Sequence, residues 1–220
     1  MELGYWKIQA LAQPIRILIH YLDLKHTDTT YDAFDKWFSI KDKLGFHFPN
    51  LPYIIDGETK ITESSAIPLY IAQKAGNKEI LGKEGIDQVT HLTIVGVIND
   101  IRDALIRLVK SENPTADLAE VKDKTIYYKL QHLEKFIGEK HHLLGYFTYA
   151  DILLNYIYFH LKRVFEKLGQ ESLAAKFPLL EKYHQNYLND PKIKNILETD
   201  ETNKLPLMPP IMDKIKLDVN

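Results

Sequence analysis

Apolar residues change their spacing along this chain, and the change falls near residue 80. Before it, short β-like runs alternate with helical ones. Leu3–Tyr5 reads as a strand. Ile15, Leu18, Ile19 and Leu22 then recur on one helical face, so a helix is expected from Pro14, in its first turn, to about Leu24. Thr27–Tyr31, rich in Thr and Tyr, reads as a second strand. Over Asp32–Lys43 the pattern is less regular, and Phe34, Trp37, Phe38 and Leu44 suggest an irregular helix. Two further strands, Tyr53–Asp56 and Thr59–Thr62, flank Asp56-Gly57, a dipeptide that favours a tight hairpin. Ser64 then opens a helix running to Ala75. The order is β-α-β-α-β-β-α.

After Gly85 the strand signal disappears. Helical periodicity covers about Ile86–Ser111, Leu118–Gly138, Tyr149–Leu168, Pro178–Asn189 and Lys192–Thr199, punctuated by Asn113-Pro114, Gly138, Gly169, Phe177-Pro178 and Pro191. From Leu205 the prolines at 206, 209 and 210 predict an extended tail. The boundary therefore separates an α/β domain over residues 1–80 from an all-helical domain over 81–220. Thr148-Tyr149-Ala150-Asp151 places a hydroxyl three residues before an acid at the start of an apolar run, a capping box with Asp in place of Glu. That is a folding element, not a site.

Composition narrows the function classes. Of 220 residues, 45% are apolar, enough for a real core, and the formal net charge of −2 offers no basic surface for nucleic acid or an anionic membrane. The longest apolar runs, such as Leu92–Ile98, are far shorter than the roughly 20 residues that span a bilayer. The opening Met-Glu-Leu-Gly-Tyr-Trp-Lys lacks a charged-then-apolar signal pattern, so a cytoplasmic location is expected. Cysteine is absent, which excludes disulfides, thiolate metal sites and a cysteine nucleophile. Any sulfur chemistry must arrive with a ligand. His141-His142 is accompanied by no metal-ligand spacing, and no metal site is expected.

The β-α-β-α-β-β-α order with Pro52 at the third strand matches a thioredoxin-like domain, and a helical domain follows it. Leu3-Gly4-Tyr5-Trp6, Ala12-Gln13-Pro14-Ile15-Arg16, Trp37…Lys41, Phe48-Pro49-Asn50-Leu51-Pro52-Tyr53, Ile61-Thr62-Glu63-Ser64-Ser65-Ala66-Ile67 and the Thr148–Asp151 box stand in one order and spacing. On these motifs the chain resembles a cytosolic glutathione transferase, most like the mu class and secondarily sigma-like enzymes. The likeness is strong over residues 3–75 and moderate over 80–200.

The resemblance implies glutathione as co-substrate, a hydrophobic electrophile as second substrate, and a homodimer. Tyr5 is then the catalytic residue, its phenol donating a hydrogen bond that favours the thiolate; a tyrosine simply packed at a strand end is the other reading of the residue itself. Ser64 at a helix start would hold the γ-glutamyl carboxylate, an ordinary Ser cap being the alternative. With a cis Leu51–Pro52 bond, Leu51 would turn its N–H and C=O toward the cysteinyl backbone. Trp37 and Lys41, four apart and so on one helical face, would hold the glycyl carboxylate; a core aromatic and a solvated lysine are the plain reading. Trp6 and Leu11 would line the pocket, and Asn50 belongs to the ligand-holding set. Glu63 stands where mu enzymes usually carry glutamine, and its carboxylate could meet the γ-glutamyl ammonium. Asn99 or Asp100 would reach the neighbouring subunit's ammonium. Phe48 resembles the mu-type aromatic key that enters the partner's helical domain. The second pocket is expected between the domains, lined partly near Arg102–Val109 and by the tail. Two features depart from the mu pattern: the segment from Tyr31 to Trp37 is too short for the mu loop, and Val109 falls where mu enzymes often carry a tyrosine. A glutathione-dependent isomerase of the sigma type, or a non-catalytic carrier of apolar ligands, remains the alternative function.

Overall fold

Strand β1 (Glu2–Trp6) runs through the middle of a sheet, and its central residues Leu3, Gly4 and Tyr5 are buried. In the computed structural model, which describes residues 1–209 and 212–217, β1 pairs in parallel with β2 (Thr27–Tyr31) and antiparallel with β3 (Tyr53–Asp56). Strand β4 (Thr59–Thr62) closes the hairpin with β3, so the sheet order is β2-β1-β3-β4. The hairpin loop is Gly57-Glu58, one position later than Asp56-Gly57, because Asp56 itself pairs with Thr59. Gly57 supplies the left-handed φ of +62° that the tight loop needs.

Helix α1 (Gln13–Tyr21) buries Ile15, Leu18 and Ile19 completely, each worth about 1.5–3 kcal/mol of burial. It stops before Leu24 because Asp23 takes a left-handed φ of +54°. Residues 32–43 hold the short α2 (Phe34–Phe38) and a separate 3₁₀ turn, Lys41–Lys43. Helix α3 (Ile67–Lys74) starts three residues after Ser64. Glu63, at φ +75°, turns the chain first, and its carbonyl accepts the Ala66 and Ile67 N–H groups, both at 3.0 Å.

These elements form one compact unit, Met1–Lys78, to which residues 195–209 also belong. A second unit comprises Glu79–Lys194 with residues 212–217. It contains α4 (Ile86–Lys110), α5 (Pro114–Val121), α6 (Tyr128–Ile137), α7 (Tyr149–Lys167), α8 (Leu173–Lys176) and α9 (Pro178–Asn189). Helix α10 (Pro191–Thr199) and a 3₁₀ turn, Glu201–Lys204, come next. Asn113 caps α5, its Oδ1 accepting the Ala116 N–H at 3.3 Å with Pro114 behind it, so the helix begins four residues before Leu118.

The single helix expected over Leu118–Gly138 is instead α5 and α6 joined by a π-helical segment, Lys122–Tyr127. Buried Leu118 and Ile126 stand eight residues apart, which overshoots two turns of an ordinary helix; the wider π turn brings both inward. The Thr148–Asp151 box forms: Asp151 Oδ2 accepts the Thr148 N–H at 2.7 Å and its hydroxyl at 2.8 Å. Residues 205–209 contain no helix or strand, and Pro210 lies outside the described residues. No helix among the described residues is long and apolar enough to cross a membrane.

Candidate functional site

Register alone lines up three of the expected residues. Gly4 faces Tyr53 across β1 and β3, and Tyr53 faces Thr62 across β3 and β4. One step further along each ladder, Tyr5, Pro52 and Glu63 fall in a row at the same end of three adjacent strands. The Leu51–Pro52 bond there is cis. Asn50 fills the corner: its Oδ1 accepts the Leu51 N–H at 2.9 Å and its Nδ2 donates to Glu63 Oε1 at 3.0 Å. Leu51 N–H is therefore not free for a ligand, as the sequence reading expected, but already holds an amide oxygen.

Glu63 is exposed and Ser64 half-buried beside it. The left-handed backbone of Glu63 costs a non-glycine residue roughly 1–3 kcal/mol, the kind of local strain that clusters at functional sites. Ser64 lies not in α3 but in the turn ahead of it.

Tyr5 ends the row. It is 5% exposed, and its hydroxyl oxygen accepts the Leu11 N–H at 3.4 Å. Leu11 belongs to the loop between β1 and α1, in which Ala10 holds a left-handed φ of +30°. Next to Tyr5, Trp6 is half-buried and meets Phe34 edge-on at 5.3 Å between ring centroids.

Trp37 and Lys41 do not share a helical face. Helix α2 ends at Phe38, and Ile40 breaks the helical backbone before Lys41 starts its own turn. The Trp37 ring, 4% exposed, is a core aromatic packed against Tyr31 at 5.4 Å and Tyr53 at 6.0 Å. The Lys41 ammonium lies 5.4 Å from the Phe38 ring centre. Tyr53 sits at the middle of this cluster, its hydroxyl 2.7 Å from Glu2 Oε1 and 2.9 Å from the Tyr31 hydroxyl. Burial, with these two partners, pushes its phenol far above the ordinary value, so it stays protonated.

In the helical unit Asp100 is paired with Lys129 at 2.7 Å, and Asn99 accepts from Arg102 at 2.9 Å. Each is thus engaged within its own chain. Leu105, Leu108 and Val109 are buried. Phe48, in the loop before β3, is 77% exposed. Sequence reasoning missed a second exposed apolar feature: Ile86, Val89 and Leu92, three residues apart on α4, are 74%, 57% and 68% exposed. That spacing was legible. It does not by itself mark an exposed face, because the same helix carries a second, buried apolar face through Ile94, Ile98 and Ile101. Among the described residues, no group of three or more His, Asp or Glu is set to hold a metal ion.

Comparison with known proteins adds a family to this geometry. Residues 1–73 match the model for the glutathione S-transferase N-terminal domain, and residues 99–200 that for the C-terminal domain. The class-mu 26 kDa isozyme 51 of Fasciola hepatica, a glutathione S-transferase, is 33% identical over 212 residues, covering 94% of this chain and 92% of its own. Glutathione S-transferase Mu 4 of Homo sapiens is 31% identical over 218 residues, covering 94% of each chain. Among solved structures, the glutathione S-transferase Blo t 8 superposes with a TM-score of 0.81 at 28% identity, over 97% of this chain and 99% of that one. The pi-class enzyme of Onchocerca volvulus gives 0.78 at 25% identity, over 96% and 98%.

Proposed function

Because the chain belongs to the glutathione S-transferase family, we propose that it is an enzyme joining the glutathione thiolate to hydrophobic electrophiles, with the Tyr5 hydroxyl stabilising the sulfur. The row Tyr5–Pro52–Glu63 carries this reading, since it sets a phenol, a turned-out backbone and an acidic corner at the spacing of neighbouring strands. A tripeptide laid along that row meets Glu63 and Ser64 with its γ-glutamyl end. Its cysteinyl amide takes over the Leu51 N–H from Asn50, which exchanges one amide oxygen for another. The glycyl carboxylate extends toward Lys41. Trp6 and Leu11 flank the sulfur.

A free thiol has a pKa of about 8.5, so little of it is nucleophilic near neutrality. A phenol donating to sulfur stabilises the thiolate over the thiol, and lowering that pKa by about two units corresponds to roughly 2.7 kcal/mol. The thiol proton leaves to solvent. The sulfur then forms a bond to an electrophilic carbon while the leaving group departs with its electron pair, and the protein forms no covalent intermediate. Replacing Tyr5 with Phe is expected to leave the glutathione KM within about threefold and to lower kcat near pH 6.5 by up to about 100-fold, the factor that two pKa units represent. Turnover equal to the parent's in that variant removes Tyr5 from the role.

A further inference from the structure

The loop from β1 to α1 is bound to a stretch of chain far away in sequence. Gln9 Nε2 donates to the carbonyl of Asn203 at 2.8 Å, across 194 positions, and to that of Leu205 at 2.7 Å. Its backbone N–H donates to Pro206 O at 2.8 Å, and the next amide, Ala10 N–H, to Leu207 O at 3.2 Å. Gln13 adds to the attachment, its Nε2 donating to Asn203 Oδ1 at 2.7 Å and to Thr202 Oγ1 at 3.1 Å. The far segment is itself anchored, because Asn203 Nδ2 donates to the carbonyls of Ile196 and Leu197. On its other side the same loop presents Leu11 N–H to the Tyr5 oxygen. Between the two attachments sits Ala10, at φ +30°.

An alanine held in a left-handed conformation relaxes unless its surroundings over-determine it. Here the bonds from Gln9 and Ala10 to residues 203–207 do so. The Leu11 amide that this conformation aims at the phenol also matters chemically. An N–H donated to the phenol oxygen makes the hydroxyl a stronger donor toward sulfur, because chained hydrogen bonds polarise one another.

We propose that Gln9 is a positioning residue for thiolate formation: its carboxamide, gripping two carbonyls of the 203–207 segment, fixes the loop that holds Leu11 N–H against Tyr5. This rests on the role given to Tyr5 above. The loop geometry is thereby tied to the integrity of a segment that contributes nothing to the row of strand ends.

The test is the ultraviolet titration of glutathione thiolate bound to the full-length protein, together with steady-state kinetics. Gln9→Met removes both donors while keeping the length of the side chain. It is expected to raise the bound thiol pKa by about 0.5–1 unit and to lower kcat/KM at pH 6.5 by about three- to tenfold, with glutathione KM within about twofold. Gln9→Lys, which retains a donor able to reach the same carbonyls, restores most of the parental pKa. In a Tyr5→Phe background, Gln9→Met adds no further shift, since the two changes act through one hydroxyl. A parental thiol pKa in folded Gln9→Met, with Tyr5→Phe still raising it, overturns the role of Gln9 and leaves Tyr5 in place. A thiol pKa unmoved by Tyr5→Phe removes both. Should Gln9→Met not fold, Gln9→Lys decides alone: a thiol pKa raised in it by about half a unit or more overturns the proposal, and a parental one supports it.

Discussion

At Gly4 the chain dispenses with a side chain so that another can lie against its backbone. A Cβ at this position would stand 2.0 Å from the ring of Tyr53, which is 1% exposed and held at its hydroxyl by Glu2 and Tyr31. The ring has nowhere to go. Gly4→Ala is therefore expected to destabilise the first unit by about 3 kcal/mol or more, at or above the upper end of ordinary overpacking. Because the residue precedes Tyr5, turnover should fall with it. Chemical denaturation of the variant checks the first effect, and a midpoint within error of the parent's would contradict the packing account. At this scale the sequence was legible where chemistry is local. Tyr5, Asn50, Pro52, Glu63 and Ser64 could be singled out because each sits in a short, ordered motif. Gln9 could not, since nothing near it announces that its partners are the carbonyls of residues 203 and 205. Nor could the internal partners of Lys129 and Arg102, which engage Asp100 and Asn99, because a charged helix face looks alike whether solvated or paired.

Among the elements, those with a strong period or a strong cap were readable. Strands β2, β3 and β4 and helix α9 have the bounds that their patterns predict. The irregular ones were not: Glu63 delays α3 through a backbone conformation that the residue type disfavours, and the π segment is a response to packing. Helix α7 shows what a legible cap becomes in three dimensions. Asp151, 1% exposed, accepts from the Thr148 N–H and hydroxyl, from Leu143 N–H at 2.8 Å and from the Tyr183 hydroxyl at 2.7 Å. The local motif announces only the Thr148 pair. Its other oxygen joins the α7 start to the preceding loop and to α9. Asp151→Ala strands several buried donors, each costing about 1–3 kcal/mol, and a loss of roughly 3–5 kcal/mol is expected. Thermal and urea unfolding measure it; a loss under about 1 kcal/mol would mean that water replaces the carboxylate.

For the whole molecule, two properties follow. We propose that Phe48 anchors a homodimer; its 77% exposure, and the apolar stripe Ile86, Val89 and Leu92, support that reading. Phe48→Ser should weaken self-association at least about tenfold, equivalent to losing roughly 1.4 kcal/mol, in analytical ultracentrifugation. An unchanged dissociation constant would remove Phe48 from the interface. The second property is acid sensitivity. Burial lowers His91 and His184 to about 4 and His160 to about 3, with Lys162 and Arg163 adding to the effect at His184 and His160. Below an unfolded pKa of about 6.5, the unfolded chain binds protons at these sites that the folded chain does not. Their stabilisation is complete above that pH and is lost as pH falls toward 4. The slope is about 1.4 kcal/mol per pH unit for each histidine, or roughly 4 kcal/mol per unit for all three. Urea midpoints at pH 7, 6 and 5 read it directly; a flat profile across that range contradicts it.

The union of residues 195–209 with the first seventy-eight also sets an order of events during biosynthesis. Loop 7–12 is made early, yet the carbonyls that complete its hydrogen bonds are polymerised nearly two hundred residues later. At translation speeds of about 5–20 residues per second, that leaves a wait of roughly ten to forty seconds, during which the sheet can assemble but the turn beside Tyr5 stays unfinished. A nascent chain stalled short of residue 203 would carry every strand of the sheet and still lack the fastening that Gln9 makes.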